Sequence, residues 1–126
     1  MKYPKKIFIS YDFSNNPFRG EVEKWLKEAG HSVIVVKEKK LHPEPDKQGQ
    51  ARINEQLQSA DRLVVLLGDN THNRPWVDYE VAVAKSIGLP VICVRLPNTT
   101  GAAPKEVRNL PEIPYEREAI LNAVGS

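Results

Sequence analysis

LVVLLGDNTHNRPWVDYE, residues 63–80, holds the transition that decides the fold. It opens on five consecutive apolar residues, Leu63, Val64, Val65, Leu66 and Leu67. A short apolar run, rich in β-branched valine and bounded by polar residues, is the pattern of a strand buried on both faces. Gly68 breaks the run into a loop of small polar residues, Asp69, Asn70, Thr71, His72 and Asn73. Such residues make tight turns and cap helix ends. Pro75 suits the first turn of a helix. Trp76, Tyr79 and Glu80 then stand at the start of an apolar pattern that continues to Ile87. The stretch reads as strand, polar loop, helix start. In an open α/β sheet, ligands bind beyond the C-terminal ends of the strands. A carboxylate with two aromatic residues at that point is therefore a candidate piece of an active site.

The same alternation extends outward in both directions. Residues 6–10 (KIFIS) read as a first strand, followed by a polar loop that carries Tyr11, Asp12, Phe13, Ser14, Asn15 and Asn16. Pro17 opens a helix to Ala29, with Phe18, Val22, Trp25, Leu26 and Ala29 on one face and Gly30 as its stop. Residues 31–36 (HSVIVV) form a second strand. Residues 38–50, with lysines, two prolines and a glycine, lack periodicity and read as a long exposed loop, a length often tied to function or mobility. A second helix follows over residues 51–60, with Ile53, Leu57 and Ala60 on one face. After the 63–80 stretch, Val77, Val81, Ala84 and Gly88 trace the stripe of a third helix over 76–87, with Gly88 as its stop. Residues 90–95 are a fourth strand. Beyond Leu96 the pattern weakens to a loop, one or two helical turns over 104–110, a short edge strand over 112–115 and a final helix over 116–124.

Alternating strands and helices, with nearly all-apolar central strands, predict helices on both faces of a parallel sheet. Right-handed crossovers make it a doubly wound, flavodoxin-like α/β fold with strand order 2-1-3-4-5, as a single domain over residues 1–126. Strands one and three then flank the switch point. Topology alone brings Asp12, Phe13, Trp76 and Glu80 around one crevice.

Composition narrows the class. The chain has 126 residues, 40% hydrophobic and 27% charged, the balance of an ordinary globular domain able to bury a core. A formal charge of +2, from 18 basic and 16 acidic residues, leaves no electrostatic footprint for nucleic acid or an anionic membrane. The one cysteine, Cys93, lies in an apolar VICV run and reads as a buried small hydrophobe. No apolar stretch is long enough to span a bilayer, and the run in MKYPKKIFIS is too short for a secretory signal, so a cytoplasmic protein is expected. His31, His42 and His72 have no metal-type neighbours, and residues 37–40 (KEKK) read as a solvated loop face.

FISYD after the first strand, together with GDNTHNRPW and WVDYE, resembles the TIR-like family over about residues 5–96. The branch it is most similar to is that of small prokaryotic TIR-like proteins, which includes the NAD-consuming subunit of Thoeris anti-phage defence systems. The motifs are specific to the family and not to an activity, since TIR domains include NAD hydrolases, cyclases and pure interaction modules. The resemblance implies that NAD is a substrate, with no separate cofactor and no metal. It implies that Glu80 is the catalytic carboxylate and that Ser10, Tyr11, Asp12 and Phe13 line the nicotinamide riboside pocket with Trp76 nearby. Asn70, Asn73 and Arg74 complete the expected substrate-binding set. The region after Leu96 matches the family poorly, so completion of the site by self-association is a further expectation. A downstream effector sensing the nucleotide product is another.

The chemistry follows from the residue types. Nicotinamide leaves from a pyridinium that already carries positive charge, so no general acid is required. The transition state resembles an oxocarbenium ion, as in glycoside cleavage. One carboxylate beside the ribose can stabilise that charge and hold the sugar hydroxyls. Capture by water yields ADP-ribose; capture by the adenine of the same molecule yields a cyclic isomer. Each residue also has a plainer reading. Glu80 can be a first-turn glutamate favoured by the helix dipole. Trp76 and Tyr79 can be core packing, Asp12 a loop cap, and Arg74 a phosphate partner or a solvated side chain. Three other classes compete: a non-enzymatic interaction or nucleotide-sensing module, a response-regulator receiver, and a nucleoside 2-deoxyribosyltransferase. The receiver lacks one acid of its first cluster and the lysine after strand five.

Overall fold

The computed structural model describes residues 4–35 and 46–125. Five strands form one parallel sheet: β1 (Lys6–Ser10), β2 (Ser32–Ile34), β3 (Arg62–Leu67), β4 (Val91–Arg95) and β5 (Glu112–Pro114). Their order is β2-β1-β3-β4-β5, as the apolar patterning predicts. The helices are α1 (Asn16–Glu28), α2 (Lys47–Ser59), α3 (Pro75–Ser86) and α4 (Arg117–Gly125). Short 3-10 turns occupy Phe13–Asn15, Thr71–Asn73 and Lys105–Val107.

The sheet divides the core in two. Side chains of β3 alternate across it: Leu63, Val65 and Leu67 meet Ile53 and Leu57 of α2 and Val77, Val81 and Ala84 of α3. Val64 and Leu66 go to the other face, against Val22 and Leu26 of α1 and Ile120 and Val124 of α4. All five residues from Leu63 to Leu67 are fully buried, as a central strand with both faces covered requires. Cys93 lies in this core, and burial pushes its thiol up to about 11, so it is an inert packing group.

Some expected boundaries shift. Helix α2 begins at Lys47, four residues earlier than expected from its apolar spacing, so residues 47–50 are helical and not loop. Asp46 is the reason: its Oδ1 accepts from the backbone N–H of Gly49 at 2.7 Å and caps the helix. The rest of the expected long loop, residues 38–45, lies outside the described residues. Strand β2 ends at Ile34; Val35 falls outside the strand, and Val36 outside the described residues. On α1, Val22 and Leu26 are buried while Ala29 is exposed, because the helix ends before it. Gly88 likewise lies beyond the end of α3, exposed and with φ of 75°, so it terminates the helix and is not part of its core stripe.

Two features of this frame are testable. The loop after β4 is pressed onto the β3 tip: a Cβ on Gly101 would lie 2.4 Å from the carbonyl oxygens of both Gly68 and Asp69. Neither backbone atom can swing aside as a side chain would. Gly101→Ala therefore costs about 1–3 kcal/mol, read as a lower urea midpoint. The second feature is His31, whose Nδ1 accepts from the backbone N–H of Lys5 at 2.9 Å. Burial, with a further push from the Lys5 charge, holds its pKa below the usual 6.5. The folded state thus resists a proton that the unfolded chain takes up. Stability from this group is complete above pH 6.5 and is lost as pH falls through the lower folded value. Urea midpoints measured from pH 7.5 down to 5.5 decline in the wild type. His31→Asn, whose amide oxygen can accept the same N–H without titrating, flattens that decline.

Candidate active site

The alternation of β1 puts Phe8 and Ser10 on the face that carries α2 and α3, with Ile7 and Ile9 on the other. Ser10 is the last residue of the strand and pairs with Val65 of β3. Across the same face, the buried positions of α3 are Trp76, Val77, Glu80, Val81 and Ala84, a single helical stripe. Glu80 thus fills a core position in the second turn and is 0% exposed. Ser10, equally buried, donates its hydroxyl to Glu80 Oε1 at 2.7 Å. A carboxylate at this depth loses its hydration and is retained only where hydrogen bonds and charges compensate. It is therefore not the solvated helix-start glutamate that the dipole alone would favour, an effect confined to the first turn.

Tyr11 follows, 2% exposed, with the Arg19 guanidinium 5.8 Å from its ring centroid. Burial pushes its phenol up, Arg19 pulls it back, and the Glu80 charge adds a smaller upward push. Asp12 is 4% exposed and does not use its side chain as a cap. Its Oδ1 accepts from Arg74 Nε at 2.7 Å and its Oδ2 from the Ser14 hydroxyl at 2.5 Å. Arg74 is the N-cap residue of α3, so the pair ties the loop after β1 to the start of that helix. Arg74 thus engages Asp12 and is not a free solvated side chain. Its half-exposed guanidinium limits the pair to about 1 kcal/mol of stability.

The other expected residues spread around this centre. Phe13 is 43% exposed on the turn beside Asp12. Asn70 and Asn73 are exposed on the β3–α3 loop, and Asn70 heads the 3-10 turn there without a side-chain cap bond. Trp76 packs in the α2–α3 core, its ring so near Gly49 that a Cβ there would lie 2.7 Å from Cη2. Tyr79 turns to α2 and donates its hydroxyl to Asn54 Oδ1 at 2.7 Å. The structure therefore joins Ser10 to Glu80 and Asp12 to Arg74, while Tyr11 packs into the core on the α1–α4 face. It places Trp76 in the α2–α3 core and Tyr79 against α2.

Two residues that shape the loops were not singled out by sequence. Thr71, fully buried, accepts from the Gly68 N–H at 2.8 Å and donates to the Leu66 carbonyl at 2.9 Å. It pins the turn after β3, and its place three residues after a strand-ending glycine is the available signal. Asn15 seats its side chain on Gly68, where a Cβ would fall 2.4 Å from Nδ2. Among the described residues, no three His, Cys, Asp or Glu side chains are grouped to hold a metal ion. No helix among them is long and apolar enough to cross a membrane.

The family model described as the TIR-like domain of the Thoeris protein ThsB matches residues 8–101. The match runs from β1 through the loop that packs on the β3 tip, and so takes in both side-chain pairs, Ser10 with Glu80 and Asp12 with Arg74. No curated protein matches the sequence. Among solved structures, the first ketoreductase of the tylosin PKS is similar at 15% identity with a TM-score of 0.44. That similarity covers 98% of this chain and 34% of the other, so the chain spans about a third of that protein's length. It carries no functional argument.

Proposed function

The chain belongs to the family of Thoeris ThsB TIR-like domains, whose model covers residues 8–101, and from that premise we propose that it cleaves the nicotinamide–ribose bond of NAD. Membership supports a role in anti-phage defence. The observation that carries the enzymatic reading is Glu80: a fully buried carboxylate on α3, held by the last residue of β1 at the switch point of the sheet. A group placed there contributes little to folding that an apolar residue would not supply, and so asks for a chemical role.

In the proposed reaction the bond between the ribose C1′ and the pyridinium nitrogen breaks. Its electron pair goes to that nitrogen, and nicotinamide departs neutral. Positive charge develops on the sugar, where the Glu80 carboxylate stabilises it. Water captures C1′ and releases a proton, giving ADP-ribose; attack by an adenine nitrogen of the same molecule gives a cyclic isomer. Phe13, exposed at the rim, offers a stacking surface for the departing base. A second copy of the chain supplies the pocket wall that the short segment after Leu96 does not, and the product goes to an effector that senses it.

Two observations favour a second reading, a nucleotide-sensing or interaction module. Glu80 is completely covered as the structure stands, and Asp12 is already engaged by Arg74. Chromatography of NAD incubated with the purified protein, alone, under crowding and with lysate of phage-infected cells, separates the readings. Nicotinamide appearing with ADP-ribose or its cyclic isomer supports the enzyme. NAD recovered intact under all three conditions supports the module.

A further inference from the structure

We infer that Ser10 is a positioning residue for Glu80, fixing which way the carboxylate faces, and is not a group that binds the substrate directly. The inference rests on the NAD-cleaving reading above and deepens it. The hydroxyl of Ser10 has one proton to donate, and it is spent on Glu80 Oε1 at 2.7 Å. Both residues are 0% exposed, so neither exchanges that bond for water. The strand and the helix fix the two ends independently. Ser10 is locked in the β1–β3 ladder opposite Val65, and Glu80 sits between the buried residues Val77, Val81 and Ala84 of its helix. The side chain of a glutamate has three rotatable bonds. The hydrogen bond at its tip, 2.7 Å long, removes the freedom that the helix leaves. A carboxylate that stabilises a developing cation must be in place before the charge forms, which is the advantage of preorganisation. Ser10 supplies that from an element 70 residues away in sequence.

The role predicts a change in kcat with little change in KM, since the bond holds the charge and does not touch the base or the phosphates. Ser10→Ala lowers kcat about tenfold to a hundredfold and leaves KM within about twofold. Ser10→Cys keeps the shape with a weaker donor and falls between the two in kcat. In a Glu80→Gln background, Ser10→Ala has no further effect on turnover, because the residue acts only through the carboxylate. Circular dichroism melts of each variant establish that folded protein is being compared. The inference is overturned if Ser10→Ala raises KM while kcat holds, if Ser10→Cys is no better than Ser10→Ala, or if the two substitutions lower turnover independently. A wild-type protein that leaves NAD intact under every condition overturns the parent reading and this inference with it. Unchanged turnover in folded Ser10→Ala overturns this inference alone.

Discussion

On the proposed NAD-cleaving reaction, Glu80→Gln loses nicotinamide release by at least about a hundredfold while melting within a few degrees of the wild type. The two halves of this expectation come from one fact, the depth of the side chain. The amide is nearly isosteric with the carboxylate and keeps an oxygen for the Ser10 hydroxyl, now 2.7 Å from Oε1, so the packing of α3 on β1 survives. What disappears is an ionisable carboxyl at a site with 0% exposure. Removing a preorganised charge from the place where transition-state charge develops costs about 10²–10³ in kcat. An isosteric amide that keeps the Ser10 bond leaves the melting temperature within a few degrees of the wild type. Rate assays and thermal melts on one preparation of each protein check both halves. A residue serving packing alone would show the reverse, with a lower melting temperature and the rate unchanged per folded molecule.

Leu66→Ala has the largest expected effect on stability. Leu66 lies near the C-terminal end of the central strand, fully buried among Val22 and Leu26 of α1 and Ile120 and Val124 of α4. These neighbours belong to two helices packed on the sheet, which cannot collapse into the space of an isobutyl group. The substitution costs about 3 kcal/mol, from lost transfer energy and the cavity left behind. It lowers the melting temperature by roughly 10 °C for a domain of this size. Ile87→Ala is the control: Ile87 is 42% exposed past the end of α3, and its truncation changes stability by less than about 0.5 kcal/mol. Equal effects at the two positions would contradict the assignment of β3 as the centre of the core.

The sheet was legible in the sequence because burial on both faces writes itself into consecutive residues, as in the run from Leu63 to Leu67. Helix stops were legible where a glycine takes a left-handed conformation, as Gly30 does with φ of 93°. The start of α2 was not. Its first turn is polar and contains Gly49, a residue that normally weakens a helix. The glycine is there because the Trp76 ring leaves no room for a Cβ, a contact between elements that spacing along one helix cannot reveal. The site divides in the same way. The apolar stripe Val77, Val81 and Ala84 already encloses Glu80, so its burial could be read from helical spacing. The bond from Ser10 spans 70 residues and the pair of Asp12 with Arg74 spans 62. Both depend on the register of two strands, which no local pattern records.

The central claim is that the tips of β1 and β3, with the start of α3, receive the nicotinamide end of NAD. Amide NMR spectra of the Glu80→Gln protein titrated with NAD test it directly, because the substitution holds the substrate unreacted. The account predicts saturable shifts concentrated at residues 10–13 and 73–80, with the outer face of α4 silent. Shifts confined to α4 or β5, or none at millimolar NAD, would contradict it.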